Sequence, residues 1–324
     1  MGTIKWGIIG CGDVTEIKSG PGFQKANNSE LVAVMRRSGE LAKDYAKRHN
    51  VPKWYDDTEK LINDPDVNAI YIATPPSSHK QYTLMAANAG KPVYVEKPMA
   101  LNADECAEMV EACKNANVPL FVAYYRRALD RFLKVKELVD NNSIGDIRFV
   151  NINFQDISKE INGEMPWRVD PKISGGGHFV DLASHMLDFL DYVLGPIEKV
   201  NGIASNQTNQ YPAEDIVTGS FQFKNGIHGS GTWCFSSFEK VDRTEIVGEK
   251  GKITYSTFDA EPIKLTSSNG TVEFKIDYPP HIQQPLIQKV VDDLNGIDKC
   301  PSTGETGKRT SRVMEEILKE YYMK

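Results

Sequence analysis

Four short stretches of this chain carry residue types whose spacing suits chemistry. The first is Gly10-Cys11-Gly12-Asp13-Val14, directly after the apolar run 4–9 and ahead of a helical stretch. A first glycine there permits a tight turn, a second lets the backbone approach a pyrophosphate, and the N–H groups opening the next helix face the anion. The third position of that fingerprint is Thr15 rather than Gly or Ala. The second stretch is Arg36-Arg37-Ser38, where NAD enzymes usually place an acid to hold the ribose 2′-hydroxyl; no acid follows until Glu40. Two guanidiniums and a hydroxyl suit a 2′-phosphate instead, so the cofactor expected is NADP, with NAD as the alternative. The third is Glu96-Lys97-Pro98, after the apolar run 93–95. Taken alone it reads as a surface lysine; at the end of a strand in an open α/β sheet, Lys97 points to where ligands bind. The fourth is Gly175-Gly176-Gly177 followed by a helix near 178–194, stopped by Gly195-Pro196. Asp181, His185, Asp188 and Tyr192 recur there at spacings of three and four, in one column. Such a column is ordinarily a wet face, but a carboxylate one turn before a histidine also makes a proton shuttle.

The elements that must position these residues come in two textures. Apolar runs at 4–9, 31–35, 69–73, 93–95 and 120–124 alternate with helical patterns at 42–49, 79–88 and 103–115. That alternation predicts βαβ units on a parallel sheet covered on both faces. After about residue 145 the pattern turns to strands, at 147–154, 200–205, 216–223, 227–235, 243–247, 253–256, 263–266 and 272–276. Asn225-Gly226 and Asn269-Gly270 sit between such runs as hairpin signals. Helical patterns at 282–294 and 304–322 close the chain. The expectation is an α/β protein: an N-terminal Rossmann domain with a doubly wound parallel sheet over 1–124, then an α/β domain with a mostly antiparallel open sheet over 125–324.

Bulk properties narrow the class. The 324 residues are 40% hydrophobic and 25% charged, with a net charge of −6, which suits a cytoplasmic globular protein and gives no support to nucleic-acid binding. No apolar run reaches the length of a membrane span, and Met1-Gly2-Thr3 leads straight into a strand rather than a signal peptide. Five cysteines without a Cys-x-x-Cys pair argue for free thiols in a reducing compartment. His49, His228 and His281 have no partners at ligand spacing, so no metal site is expected. His178 reads as a helix-start residue, and Tyr321-Tyr322 as packing for the last helix.

The ordered set Gly10-x-Gly12, Glu96-Lys97-Pro98 and Gly175-Gly-Gly…Asp181-x-x-x-His185 resembles the glucose–fructose oxidoreductase / inositol dehydrogenase (Gfo/Idh/MocA) family across essentially the whole chain. The resemblance implies an oxidoreductase that moves hydride between NADP(H) and a sugar or polyol hydroxyl or carbonyl. Lys97, Asp181 and His185 would be its catalytic set. It further implies that Thr74, Pro75, Pro76 and His79 border the cofactor's riboses. Trp167-Arg168 matches a Trp-Arg pair that NADP-dependent members such as 1,5-anhydrofructose reductase set near the cofactor, and Gln283 stands where a relative touches the nicotinamide. Where many relatives carry Asn after the sixth strand, this chain reads Ala123-Tyr124-Tyr125-Arg126-Arg127. The substrate is expected between 123–127, 156–168 and the Asp181–His185 face, and a homodimer or homotetramer is implied. Two other functions occur on this scaffold: a glycoside hydrolase that cycles a tightly bound NAD, and a non-catalytic dinucleotide-binding regulator. The joint presence of Lys97, Asp181 and His185 disfavours the regulator. Release of p-nitrophenol from aryl glycosides without net redox change would favour the hydrolase.

Overall fold

A computed structural model describes residues 2–158 and 163–323. The chain divides into two compact units: 1–129 with 279–308, and 130–278 with 309–324. The sequence-based boundary at 124/125 leaves all later residues in the second domain. The segment 279–308 instead returns to the first, because its groups satisfy the edge of that unit's sheet: Ser302 Oγ donates to Val122 O at 2.7 Å, and Thr303 forms an antiparallel bridge with Phe121.

The first unit holds a six-stranded parallel sheet of β1 (Ile4–Ile9), β2 (Ser29–Met35), β3 (Lys53–Tyr55), β4 (Ala69–Ile72), β5 (Val93–Val95) and β6 (Leu120–Val122). Its order, β3-β2-β1-β4-β5-β6, is that of a Rossmann fold, with the switch point between β1 and β4. Every residue of β4, β5 and β6 is buried, as a sheet covered on both faces requires. Where a single helical stretch is expected after the first loop, two short helices form, α1 (Asp13–Ile17) and α2 (Gly20–Lys25). The break is steric: a Cβ on Gly20 would lie 2.1 Å from Thr15 O, and Pro21 has no N–H to continue the ladder. Helices α3 (Gly39–Arg48), α4 (Thr58–Ile62), α5 (His79–Asn88) and α6 (Ala103–Asn115) complete the crossovers. The sequence reading assigns no element to β3 or α4, each too short to show a period.

The second unit opens with α7 (Asp130–Asp140), also unassigned from sequence, although Phe132, Val135 and Leu138 are spaced for one face and are buried. Strand β7 (Ile147–Ile157) leads, through α8 (Pro171–Ser174) and α9 (His178–Leu194), to β8 (Ile197–Ser205), β9 (Ile216–Phe223), β10 (His228–Ser237), β11 (Val241–Gly248), β12 (Gly251–Tyr255), β13 (Ile263–Ser267) and β14 (Gly270–Phe274). These eight strands form one sheet, ordered β14-β13-β12-β11-β7-β10-β9-β8, antiparallel except for the β7/β10 pair. Both Asn-Gly steps fall at hairpins, β9/β10 and β13/β14, with Gly226 at φ +89° and Gly270 at φ +110°.

Helix α9 packs on this sheet through Phe179, whose ring meets Trp233 edge-on at 5.1 Å, and Met186, whose Sδ accepts from Trp233 Nε1 at 3.2 Å. Burying two such aromatic side chains contributes roughly 2 kcal/mol or more apiece. Helices α10 (Gln284–Leu294) and α11 (Gly304–Tyr322) end the chain; α10 belongs to the first unit, and α11 starts in the first and runs on into the second. Among the described residues no helix is long and apolar enough to cross a membrane.

Candidate active site

At the switch point the loop after β1 turns at Gly10, held at φ +91°, where a Cβ would press on Thr74 Cγ2 at 2.6 Å. Its shape is set by its own backbone: Gly10 N–H donates to Met35 O at 2.9 Å, Cys11 N–H to the same oxygen at 3.2 Å, and Gly12 N–H to Gly10 O at 2.8 Å. A Cβ on Gly12 would meet nothing nearer than 4.0 Å, so the loop has room above its second glycine. The irregular third position has a structural account. Thr15 is fully buried, its hydroxyl donates to Gly12 O at 2.7 Å, and its carbonyl accepts Tyr45 OH at 2.8 Å. Thr15 thus fastens the loop to the helices behind it, where a small residue would only allow close packing. Cys11 is buried and burial pushes its thiol up to about 11, which leaves it inert. An open glycine cradle at the switch point fits the pyrophosphate of a dinucleotide, with Asp13 and Val14 opening the helix behind it.

Arg36 and Arg37 are exposed beyond the end of β2. Ser38 is the N-cap of α3, its side chain accepting from Leu41 N–H at 3.5 Å, a task that accounts for a hydroxyl at that position. Behind β4, Thr74 Oγ1 accepts from Ser78 Oγ at 2.8 Å, and Pro75-Pro76 lead into a short 3₁₀ turn. His79 is fully buried: Nδ1 lies 3.0 Å from Pro98 O and Nε2 lies 2.6 Å from Thr74 O. It joins the loop after β4 to the loop after β5 as a strut. Burial draws its pKa down to about 4, against the neighbouring carbonyls, which favour the proton.

Glu96 is 7% exposed and is the hub of that second loop. Its Oε1 accepts the Tyr71 hydroxyl in a short hydrogen bond and Gln283 Nε2 at 2.7 Å, while Oε2 accepts Lys97 N–H at 3.2 Å. Gln283, 1% exposed, is brought here by the return segment, with its N–H donating to Lys18 O at 3.1 Å. Its Oε1 is buried and has no hydrogen-bond partner among the described residues. Tyr71 is absent from the sequence reading. Its signal is a phenol in an otherwise apolar β4, and its ring stacks on Tyr94 at 5.1 Å and packs on Phe23 at 4.9 Å.

In the second unit α9 begins at an N-cap Gly177 and carries Asp181 in its first turn and His185 one turn later. The column that includes them is not a wet face. His185 is 3% exposed and Asp188 is 1% exposed, so the helix is buried around most of its girth. Asp188 Oδ1 accepts Thr310 Oγ1 at 3.3 Å; beside it, Asp191 accepts Arg309 Nε at 2.9 Å and Nη2 at 2.7 Å as a bidentate pair. Asp181 Oδ2 lies 3.5 Å from Arg168 Nε, and the Arg168 guanidinium sits 4.5 Å over the Trp167 ring. His185 faces the edge of Phe258 at 6.0 Å. A buried imidazole one turn from a carboxylate that is itself paired with a cation is an arrangement suited to moving one proton.

After β6, Tyr125–Ala128 form a 3₁₀ turn with Arg126 and Arg127 buried, Arg127 donating to Pro301 O at 3.0 Å. Of the expected substrate segment 156–168, residues 159–162 lie outside the described residues.

Residues 4–124 match the family described as "Oxidoreductase family, NAD-binding Rossmann fold", and residues 132–254 match the "GFO/IDH/MocA C-terminal domain". The chain is 43% identical over 316 residues to "Oxidoreductase P35" of Formosa agariphila, spanning 96% of this chain and 97% of that one. It is 27% identical over 310 residues to the 1,5-anhydro-D-fructose reductase of Ensifer adhaerens, spanning 94% and 92%. Among solved structures, the aldose-aldose oxidoreductase of Caulobacter crescentus superposes with a TM-score of 0.87 at 24% identity, over 98% of this chain and 97% of that one.

Proposed function

This chain belongs to the GFO/IDH/MocA family of oxidoreductases with an NAD-binding Rossmann fold, and from that premise we propose that it interconverts a hydroxyl and a carbonyl on a sugar or polyol, with NADP(H) as its partner. The observation that carries the reading is α9, where a 3% exposed His185 follows Asp181 by one turn. A buried histidine with a carboxylate neighbour is costly as packing and apt as an acid–base group. The named activity of the 1,5-anhydro-D-fructose reductase relative supports a sugar carbonyl as the reacting group.

A bound nicotinamide would supply the hydride acceptor for a carbinol carbon, or the hydride donor for a carbonyl. The chain's residues handle the proton and the oxygen. In the oxidising direction His185 takes the hydroxyl proton as the C–O bond becomes a carbonyl; in reduction it gives that proton back. In this reading Asp181 orients the imidazole and stabilises its protonated form, and Arg168 places a cation 3.5 Å from the Asp181 carboxylate. Lys97 donates a hydrogen bond to the reacting oxygen and stabilises its alkoxide character. Glu96, holding Lys97 N–H, fixes the start of that loop. The dinucleotide is assigned to Gly10, Cys11, Gly12, Asp13 and Val14 at its pyrophosphate, with Thr74, Pro75, Pro76 and His79 along its riboses. Trp167, Arg168 and Gln283 are assigned toward its nicotinamide end. Arg36 and Arg37 support the 2′-phosphate and hence NADP; the Ser38 hydroxyl is shared with the α3 cap.

Keto-sugars, aldo-sugars and inositols offered with NADPH, NADH and their oxidised forms test the reading through nicotinamide absorbance. Net cofactor consumption with a sugar carbonyl, or reduction with a polyol, is expected. No turnover with any of them, or release of aryl-glycoside leaving groups without net redox change, would overturn it.

A further inference from the structure

Gly177, which closes the run Gly175-Gly176-Gly177, marks a close approach by the chain just ahead of β9. A Cβ on Gly177 would lie 2.8 Å from Ala213 Cβ, 2.9 Å from Glu214 O and 3.1 Å from Glu214 Oε1; one on Gly176 would lie 2.4 Å from Val180 Cγ2. Glu214 has no exposed surface. Its Oε1 accepts Gly177 N–H at 2.9 Å, and its Oε2 accepts the hydroxyl of Tyr322, in the last turn of α11, at 2.5 Å. Both partners are donors, so the acceptor-only carboxylate meets them fully. Burial and the adjoining Asp215 push its pKa up, and the Tyr322 and Gly177 hydrogen bonds oppose the rise. Asp215, equally buried, spends its own oxygens elsewhere, accepting Gln207 N–H and Thr208 N–H at 2.8 Å each. Gly177 O in turn accepts Asp181 N–H at 3.3 Å. The residue that Glu214 grips is therefore the one from which the first turn of α9 springs.

We propose that Glu214 is a positioning residue for the reaction: by holding Gly177 it sets the start of α9 and so the aim of Asp181 and His185, and Tyr322 ties that setting to α11. The proposal rests on the reading of Asp181 and His185 as the proton-handling pair. A carboxylate at a helix start also complements the helix dipole. A plain cap of that kind would change stability without changing turnover, which separates the two roles.

The test uses the full chain with Glu214→Ala, Glu214→Gln and Tyr322→Phe, followed by kcat, KM, Tm and amide hydrogen exchange. Glu214→Ala is expected to lower kcat about 10- to 100-fold, as misaimed catalytic groups do, with the cofactor KM changed less than about threefold. Glu214→Gln keeps an acceptor for Gly177 and recovers kcat to within about threefold of wild type; Tyr322→Phe lowers it by about threefold to tenfold. Exchange over 177–185 quickens in Glu214→Ala while 284–294 stays as it was. Wild-type kcat in a folded Glu214→Ala, or a loss carried by Tm alone, overturns the proposal. If Glu214→Ala does not fold, Tyr322→Phe decides: wild-type kcat overturns, the stated drop supports. If the wild-type chain turns over no substrate, the functional reading fails separately. Exchange then judges the grip on α9, where faster exchange confined to 177–185 supports it and unchanged exchange overturns it.

Discussion

His185 has 3% of its surface exposed and stands one turn beyond Asp181 on α9. If His185 moves the proton, His185→Ala should lower kcat by about 10²- to 10⁴-fold while cofactor affinity, read by fluorescence titration, stays within about threefold. Near-full turnover in that variant would remove the histidine from the mechanism. At the other end of the cofactor, Arg36→Ala with Arg37→Ala should weaken NADPH binding about tenfold or more and leave NADH binding nearly unchanged. Equal losses for both would deny the arginines a role at the 2′-phosphate. The residues behind these predictions are legible in sequence because each motif is local: a turn, a strand end, one helix column. Their supports are not. Tyr71 meets Glu96 from 25 positions away, and Arg309 meets Asp191 from 118. Tyr71 sits in an apolar run, Glu214 in a short acidic pair and Arg309 in an ordinary amphipathic helix, and nothing local says what each will touch.

Among the elements, α9 shows how a correct period can carry a wrong environment. The 3.6-residue pattern locates the helix and its polar column, but a column reads the same whether it faces water or other side chains. Here Arg309 and Thr310 of α11 occupy the polar side. The buried Asp191 carboxylate depends on the half-exposed Arg309 fork, with side-chain exposures of 5% and 39%. Asp191→Ala should therefore cost about 2 kcal/mol in urea unfolding, less than a wholly buried pair would because water screens the arginine. A loss below about 0.5 kcal/mol would place the bond among surface pairs. The short elements β3 and α4 escaped for a different reason: three and five residues span too little chain to establish a period. Helix α7 had its period in full view, so physics did not hide it.

The whole molecule should respond to acid in two steps. His79 titrates near 6.5 when unfolded and near 4 in its buried site, so the unfolded chain binds more protons between those values. The stability this histidine lends is complete above pH 6.5 and is lost, by about 3 kcal/mol, as pH falls toward 4. Below that, Glu16 takes over: the Arg48 guanidinium, with His49, holds its carboxyl at about 2 against 4.5 unfolded, so its contribution disappears as pH falls from 4.5 toward 2. Urea unfolding at successive pH values checks both steps, and His79→Asn should flatten the upper one. An unaltered slope in that variant would mean the protons go elsewhere. The parallel order of the first sheet and the mostly antiparallel second sheet were both legible from alternation and hairpin signals. The return of 279–308 was not, because an amphipathic helix does not say which apolar surface it will cover.

That return has a consequence for how the protein is made. The Rossmann unit needs Ser302 on β6 and Gln283 on Glu96, yet an intervening domain is synthesised first. At ~5–20 residues per second, a ribosome that has released β6 takes on the order of ten seconds or more to deliver the segment that finishes it. During that interval the nascent sheet has an uncovered edge and a carboxylate short of a donor. The second unit has the strands of its sheet in one stretch, 147–274, but waits longer still for 309–324, so both units are completed only by the last two segments of the chain.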